Sequence, residues 1–172
     1  MLTKAVVWGS IGGLAGTLVM DTIVIGLSSA LGWPTGLMFS FIGGTAAGFF
    51  SMLGVNLAGG VPLGVVVQYL IGLALGIAFA AATSRVRAFR TASVKKAAWL
   101  AVLYIEVLSL PIAATAPLIR NMTTADTIRW LSLSLLMHPF YSAVLGVVTR
   151  YGQGLVGPAD SLRSARRQDN RI

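Results

Sequence analysis

Ser132-Leu-Ser-Leu-Leu-Met-His138-Pro-Phe-Tyr-Ser-Ala-Val-Leu-Gly146 places the chain's one histidine and a following proline inside a run that is otherwise apolar. Extended to 130–148, the run approaches the ~20 apolar residues that a membrane-spanning helix requires. Four more apolar stretches lie at 5–31, 37–55, 63–83 and 97–118. The expected fold is therefore all-α, a polytopic transmembrane helical bundle of five spans forming one domain over residues 1–150. Composition points the same way. Only 10% of the 172 residues are charged, against roughly 25% in an average soluble domain, too few to cover a surface facing water.

The 37–55 stretch, rich in glycine, has an alternative reading as a re-entrant segment shielded by the other helices, which gives four spans. The 5–31 stretch begins like a signal peptide, with Lys4 ahead of an apolar run. It is longer than a typical signal core and Asp21 interrupts it, so it reads as a retained helix.

Net charge is +8, but the basic residues sit beside apolar spans, where lipid headgroups and membrane orientation account for them. Arg85, Arg87, Arg90, Lys95 and Lys96 form a block without an acid between the third and fourth spans. Arg163, Arg166 and Arg167 belong to a polar tail, 151–172, expected to be disordered or to lie along headgroups. Loop 84–96 and the tail are thus expected on the cytoplasmic side of a multi-pass cell-membrane protein, with Arg120, Asp126 and Arg129 outside. Five spans put the N-terminus outside and four put it inside. The expected partners are the lipid bilayer and other transmembrane helices, with no nucleic acid. The absence of cysteine rules out disulfides, thiolate metal sites and a cysteine nucleophile.

Small residues recur at helix-packing intervals. Gly9, Gly12, Gly13 and Gly16 form overlapping G-x-x-x-G pairs in the first span, and Gly44 and Gly48 repeat the spacing in the second. Between helices in lipid, such spacing lets backbones approach and gain dispersion contacts. The third and fifth spans share a further pattern: Gln68, Gly72 and Gly76 in one, His138, Ser142 and Gly146 in the other. Each is a polar side chain, a small residue four on and glycine four beyond, all on one helical face. The two spans read as parallel copies of one unit, an arrangement that some transporters use to place a site at the repeat interface.

The G-x-x-x-G pairs ahead of Met20, the polar-x-x-x-Gly-x-x-x-Gly face of span three, Leu110-Pro111, and His138-x-x-Tyr141-x-x-x-x-Gly146 resemble a family of small uncharacterised bacterial and archaeal polytopic integral membrane proteins. The resemblance covers most of residues 5–150 and implies architecture, since the family carries no assigned activity. Its members have histidine where this chain has Gln68 and glycine where it has Ser142, so a role needing two histidines is not implied here.

Asp21, Glu106 and His138 each fall near the middle of a span. An ionisable group at the bilayer centre costs about 2.5 to 3.5 kcal/mol on insertion scales, so all three should face the bundle interior and find partners. Gln68 and Tyr141 complete the candidate polar site. These groups admit three readings: structural hydrogen bonds between helices, a proton or cation pathway, or a metal site of one imidazole and two carboxylates. The histidine lacks H-x-x-x-H or E-x-x-H spacing, so no metal and no cofactor are assigned. No serine has nucleophile-elbow surroundings, so no catalytic residue and no enzyme activity are expected. The leading expectation is a small membrane subunit or packing module that associates through its glycine faces with itself or a larger complex. The alternative is an oligomeric proton- or cation-coupled small-solute transporter using Asp21, Glu106 and His138.

Overall fold

The structure, a computed structural model, describes residues 2–86 and 93–154. Over these residues it is all-helical: α1 Leu2–Ala30, α2 Leu37–Met52, α3 Val61–Arg85, α4 Val94–Ile119 and α5 Thr124–Gly154. α1, α3, α4 and α5 are long and apolar enough to cross a membrane. The 16 residues of α2 extend about 24 Å, less than the ~30 Å of a hydrocarbon core. Arg87, Arg90, Arg163, Arg166 and Arg167 lie outside the described residues.

Local stop and start signals explain where these helices differ from the apolar runs. The 37–55 run looks continuous, yet the helix is closed by Gly54, whose φ is +80°. Val55 N–H donates to Phe50 O at 2.9 Å and Gly54 N–H to Ser51 O at 3.0 Å, a Schellman motif. Gly32, with φ +69°, ends α1 in the same way. At the other termini, side chains extend helices beyond the apolar runs. Ser93 Oγ accepts from Lys96 N–H at 3.3 Å, starting α4. Thr123 Oγ1 accepts from Asp126 N–H at 3.2 Å, and its hydroxyl donates to Asp126 Oδ2 at 2.7 Å, starting α5. α5 then continues to Gly154, into the segment expected to be tail, and the Trp8 ring lies against it at Gly152.

In space the helices follow the order α2, α3, α1, α5, α4, with α1 in the middle of a curved row. Glycine contacts give the directions. Gly9 lies on Gly76 and Gly13 on Gly72, and a methyl added to Gly9 would sit 2.6 Å from Gly76 O. α1 and α3 are therefore antiparallel. Gly12 faces Leu145 and Thr149 while Gly16 faces Tyr141, so α5 is also antiparallel to α1 and hence parallel to α3. Gly146 lies on Ala97, Ala98 and Ala101 while His138 lies beside Glu106 and Ser109, setting α4 antiparallel to α5. Phe39 meets Gly64 and Gly43 meets Gly60, so α2 runs antiparallel to α3.

Because α1 and α3 lie side by side in opposite directions, the chain leaves one and enters the other at the same end of the bundle. α2 sits on a connection that returns to the end where it began. Charges sort accordingly, with Lys4, Arg85, Lys95, Lys96 and Arg150 at one end and Arg120, Asp126 and Arg129 at the other. The buried core contains Phe79, Ala97, Ala101, Ile105, Tyr141 and Leu145. The outer face of α4 leaves Trp99, Leu103, Val107 and Leu118 exposed, a surface suited to lipid.

Candidate functional site

Two polar pairs form inside the bundle, each between antiparallel neighbours. On α1 and α3, Gln68 Nε2 donates to Asp21 Oδ1, and both residues are buried. On α4 and α5, His138 Nδ1 lies 2.9 Å from Ser109 Oγ and 3.4 Å from Glu106 Oε2. Following the helix registers from α1 through α5 to α4 puts all four principal groups within about one helical turn of a common height. Asp21, Glu106 and His138 do not converge as a trio: among the described residues no three His, Cys, Asp or Glu side chains gather where a metal could bind.

The hydrogen bonds assign the histidine tautomer. Ser109 has one hydroxyl hydrogen, which it donates to Ile105 O at 2.6 Å. Toward His138 the serine must therefore accept, so Nδ1 carries a hydrogen shared between Ser109 and Glu106. Nε2 is left as the acceptor of the neutral ring. Ser109 was not legible as a site residue on its own, although its i,i+3 relation to Glu106 puts the two on one helix face.

Three acceptors of these pairs are buried without a hydrogen-bond partner: Asp21 Oδ2, Gln68 Oε1 and Glu106 Oε1. Each such group typically costs about 1–3 kcal/mol, more if charged.

Between α2 and α4, where the curved row nearly closes, lies a cavity of about 580 Å³. Its walls are mainly apolar, with Met38, Ile42 and Phe49 from α2 and Ile112 from α4. Gln68, Ser109, His138 and Tyr141 add polar groups. Asp21 and Glu106 are not among the lining residues, so each carboxylate stands behind the amide or imidazole that reaches the cavity. A largely apolar chamber of this size with a few placed polar groups is the usual form of a small-molecule site. Tyr141 spans the two halves: its ring packs on Gly16 and its hydroxyl donates to Gly72 O at 2.7 Å.

The other packing candidates have separate surroundings. Gly72 and Gly76 lie on α1 and Gly146 on α4, while the Ser142 hydroxyl donates to His138 O at 2.7 Å within its own helix. Gly44 and Gly48 do not meet α3. They receive Arg120 and Ile119 from the end of α4, and it is Gly43 that approaches Gly60 and Gly64. Arg120 donates to Phe41 O at 3.2 Å and lies 4.6 Å from the centre of the Phe41 ring, fastening α2 to α4 at the cavity's end. Pro117 has a matching role nearby. Lacking an N–H, it leaves Ala113 O free of its helical donor, and the Trp130 indole N–H fills the gap at 2.9 Å. Compared with known protein families, curated proteins and solved structures, the chain matches none of them.

Proposed function

We propose that this protein is a proton- or cation-coupled small-solute transporter in which the solute occupies the chamber between α2 and α4. The observation that carries this reading is the chamber itself, with Gln68 and His138 on its wall and a carboxylate behind each. Intramembrane ionisable groups of this kind serve proton relays and ion pathways. The His138 Nε2 acceptor gives the chamber wall a group able to take up a proton, with Glu106 to balance the resulting charge. The packing-module reading draws on glycine faces, but the contacts of Gly9, Gly13, Gly72, Gly76 and Gly146 are made within the chain.

Crossing by α1, α3, α4 and α5, with α2 entering and returning on one side, is the four-span arrangement that fits this register. By the excess of Lys and Arg, the end holding Lys4, Arg85, Lys95 and Lys96 is cytoplasmic, and the N-terminus with it. Reconstituted in liposomes under an imposed pH gradient, the protein should carry a proton flux that Glu106→Gln and His138→Ala abolish. A flux unchanged by Asp21→Asn, Glu106→Gln and His138→Ala would overturn the assignment of these residues.

A further inference from the structure

We propose that Asp21 and Gln68 form a cyclic acid–amide pair that binds one proton. In it, Gln68 Nε2–H donates to Asp21 Oδ1, as observed, and a protonated Asp21 Oδ2 donates in return to Gln68 Oε1. What that proton is used for rests on the transport reading; the pair itself does not.

The argument begins with two unpaired acceptors. Asp21 is 3% exposed and Gln68 7%, and Asp21 Oδ2 and Gln68 Oε1 are buried without partners. They are the second oxygens of the two groups already joined, and two acceptors cannot satisfy one another. One proton turns Oδ2 into a donor and supplies both needs at once, with no other atom added.

Two neighbouring donors are engaged elsewhere. The Thr17 hydroxyl donates to Gly13 O at 3.0 Å and the Tyr141 hydroxyl to Gly72 O. Tyr69 on α3 stands beside the carboxyl, but a bond from its single hydroxyl hydrogen to Asp21 would still leave Gln68 Oε1 without a donor. Of the titratable groups on the two helices packed on α1, Tyr69 on α3 and His138 and Tyr141 on α5 lie nearest Asp21 in register, while Arg85, Asp126, Arg129, Arg150 and Tyr151 stand toward the helix ends. Among the described residues no lysine, arginine or histidine forms a salt bridge with Asp21.

The test is infrared spectroscopy of the full chain in lipid nanodiscs at pH 7, with isotope-labelled aspartate carboxyls. Labelling separates Asp21 from Glu106, the chain's one glutamate. The expected result is a protonated-acid carbonyl band that carries the aspartate label and disappears in Asp21→Asn. Thermal midpoints give a second measure. The amide of Asp21→Asn can form the same two bonds, so its midpoint should stay within about 2 °C of wild type, whereas Gln68→Leu should fall by about 5 °C. No labelled acid band would overturn the proposal, whether or not the variants fold. So would a midpoint that rises with sodium or potassium in wild type and not in Asp21→Asn, because that is the behaviour of an ionised carboxylate holding a cation. A labelled band in a protein without proton flux would uphold the pair and count against the transport reading.

Discussion

α1 with α3 and α4 with α5 are both antiparallel pairs in which a carboxylate on the first helix meets a polar side chain on the second. They differ in what separates the backbones. Glycine faces glycine between α1 and α3, so a main-chain carbonyl of each helix lies where the other would carry a methyl. Between α4 and α5 the glycine is on one side only: Gly146 meets Ala97 O and Ala98 Cα, and the Ala101 methyl stands in the contact. The polar pairs differ as well. Asp21 and Gln68 are buried, while the His138 and Glu106 side chains keep 18% and 16% of their surface. The α1–α3 contact holds a flat amide and carboxyl. The α4–α5 contact holds an imidazole with Ser109 as a third member.

The comparison breaks first at its glycines. In Gly13→Val the new Cβ would fall on Gly72 O, which is backbone and cannot rotate away. Overpacking of this kind costs about 3 kcal/mol, and here it must also part Asp21 from Gln68. Unfolding in detergent should show that loss. Gly26→Ala, a helix position with nothing within 4 Å, should show none. Equal effects at the two positions would mean that the glycine contact does not hold α1 to α3.

The next effect belongs to the α4–α5 pair. His138→Ala takes the imidazole from Glu106 and leaves a carboxylate whose Oε1 is already unpaired. Leaving a buried acceptor without its donor costs about 1–3 kcal/mol, and with both side chains partly exposed the expectation is about 2 kcal/mol. Removing both partners as Glu106→Leu with His138→Leu should recover most of that loss, because an apolar pair has no desolvation penalty. A double variant as unstable as the sum of its parts would show that the groups do not act as a pair.

Much of this was legible before the structure: the helical class, the apolar spans, and three ionisable groups needing partners. The side-chain pairing was less so: Gln68 was a candidate without an assigned partner, and Ser109 is neutral and becomes a site residue only when a neighbouring helix brings an imidazole. The end of the second helix was obscured by the composition of 37–55, since a count of apolar residues does not register that Gly54 adopts a positive φ and caps the helix at Met52. Glycine spacing predicted close faces but not which ones, as Gly43 and Gly44 are adjacent and only Gly43 meets α3. Gly60 and Gly64 have the same four-residue spacing, but they straddle the start of α3 and so fall outside a search for pairs within spans.

The smallest expected effect tests whether the two pairs are independent. Tyr141 belongs to α5, packs on α1 at Gly16 and donates its hydroxyl to Gly72 O on α3, so it links the second pair of helices to both members of the first. Tyr141→Phe keeps the ring and deletes one buried hydrogen bond, worth about 1 kcal/mol. Gly72 lies one helical turn beyond Gln68, and the hydroxyl therefore fixes the backbone on which the acid–amide pair is mounted. If the interfaces are separate units, the losses from Tyr141→Phe and Gln68→Leu should add to within about 0.5 kcal/mol. We expect a larger discrepancy, with Tyr141→Phe costing less once Gln68 is gone, because the hydroxyl would then be orienting a helix turn that no longer carries the amide. Strict additivity would leave the two polar pairs as neighbours at one height with no energetic connection between them.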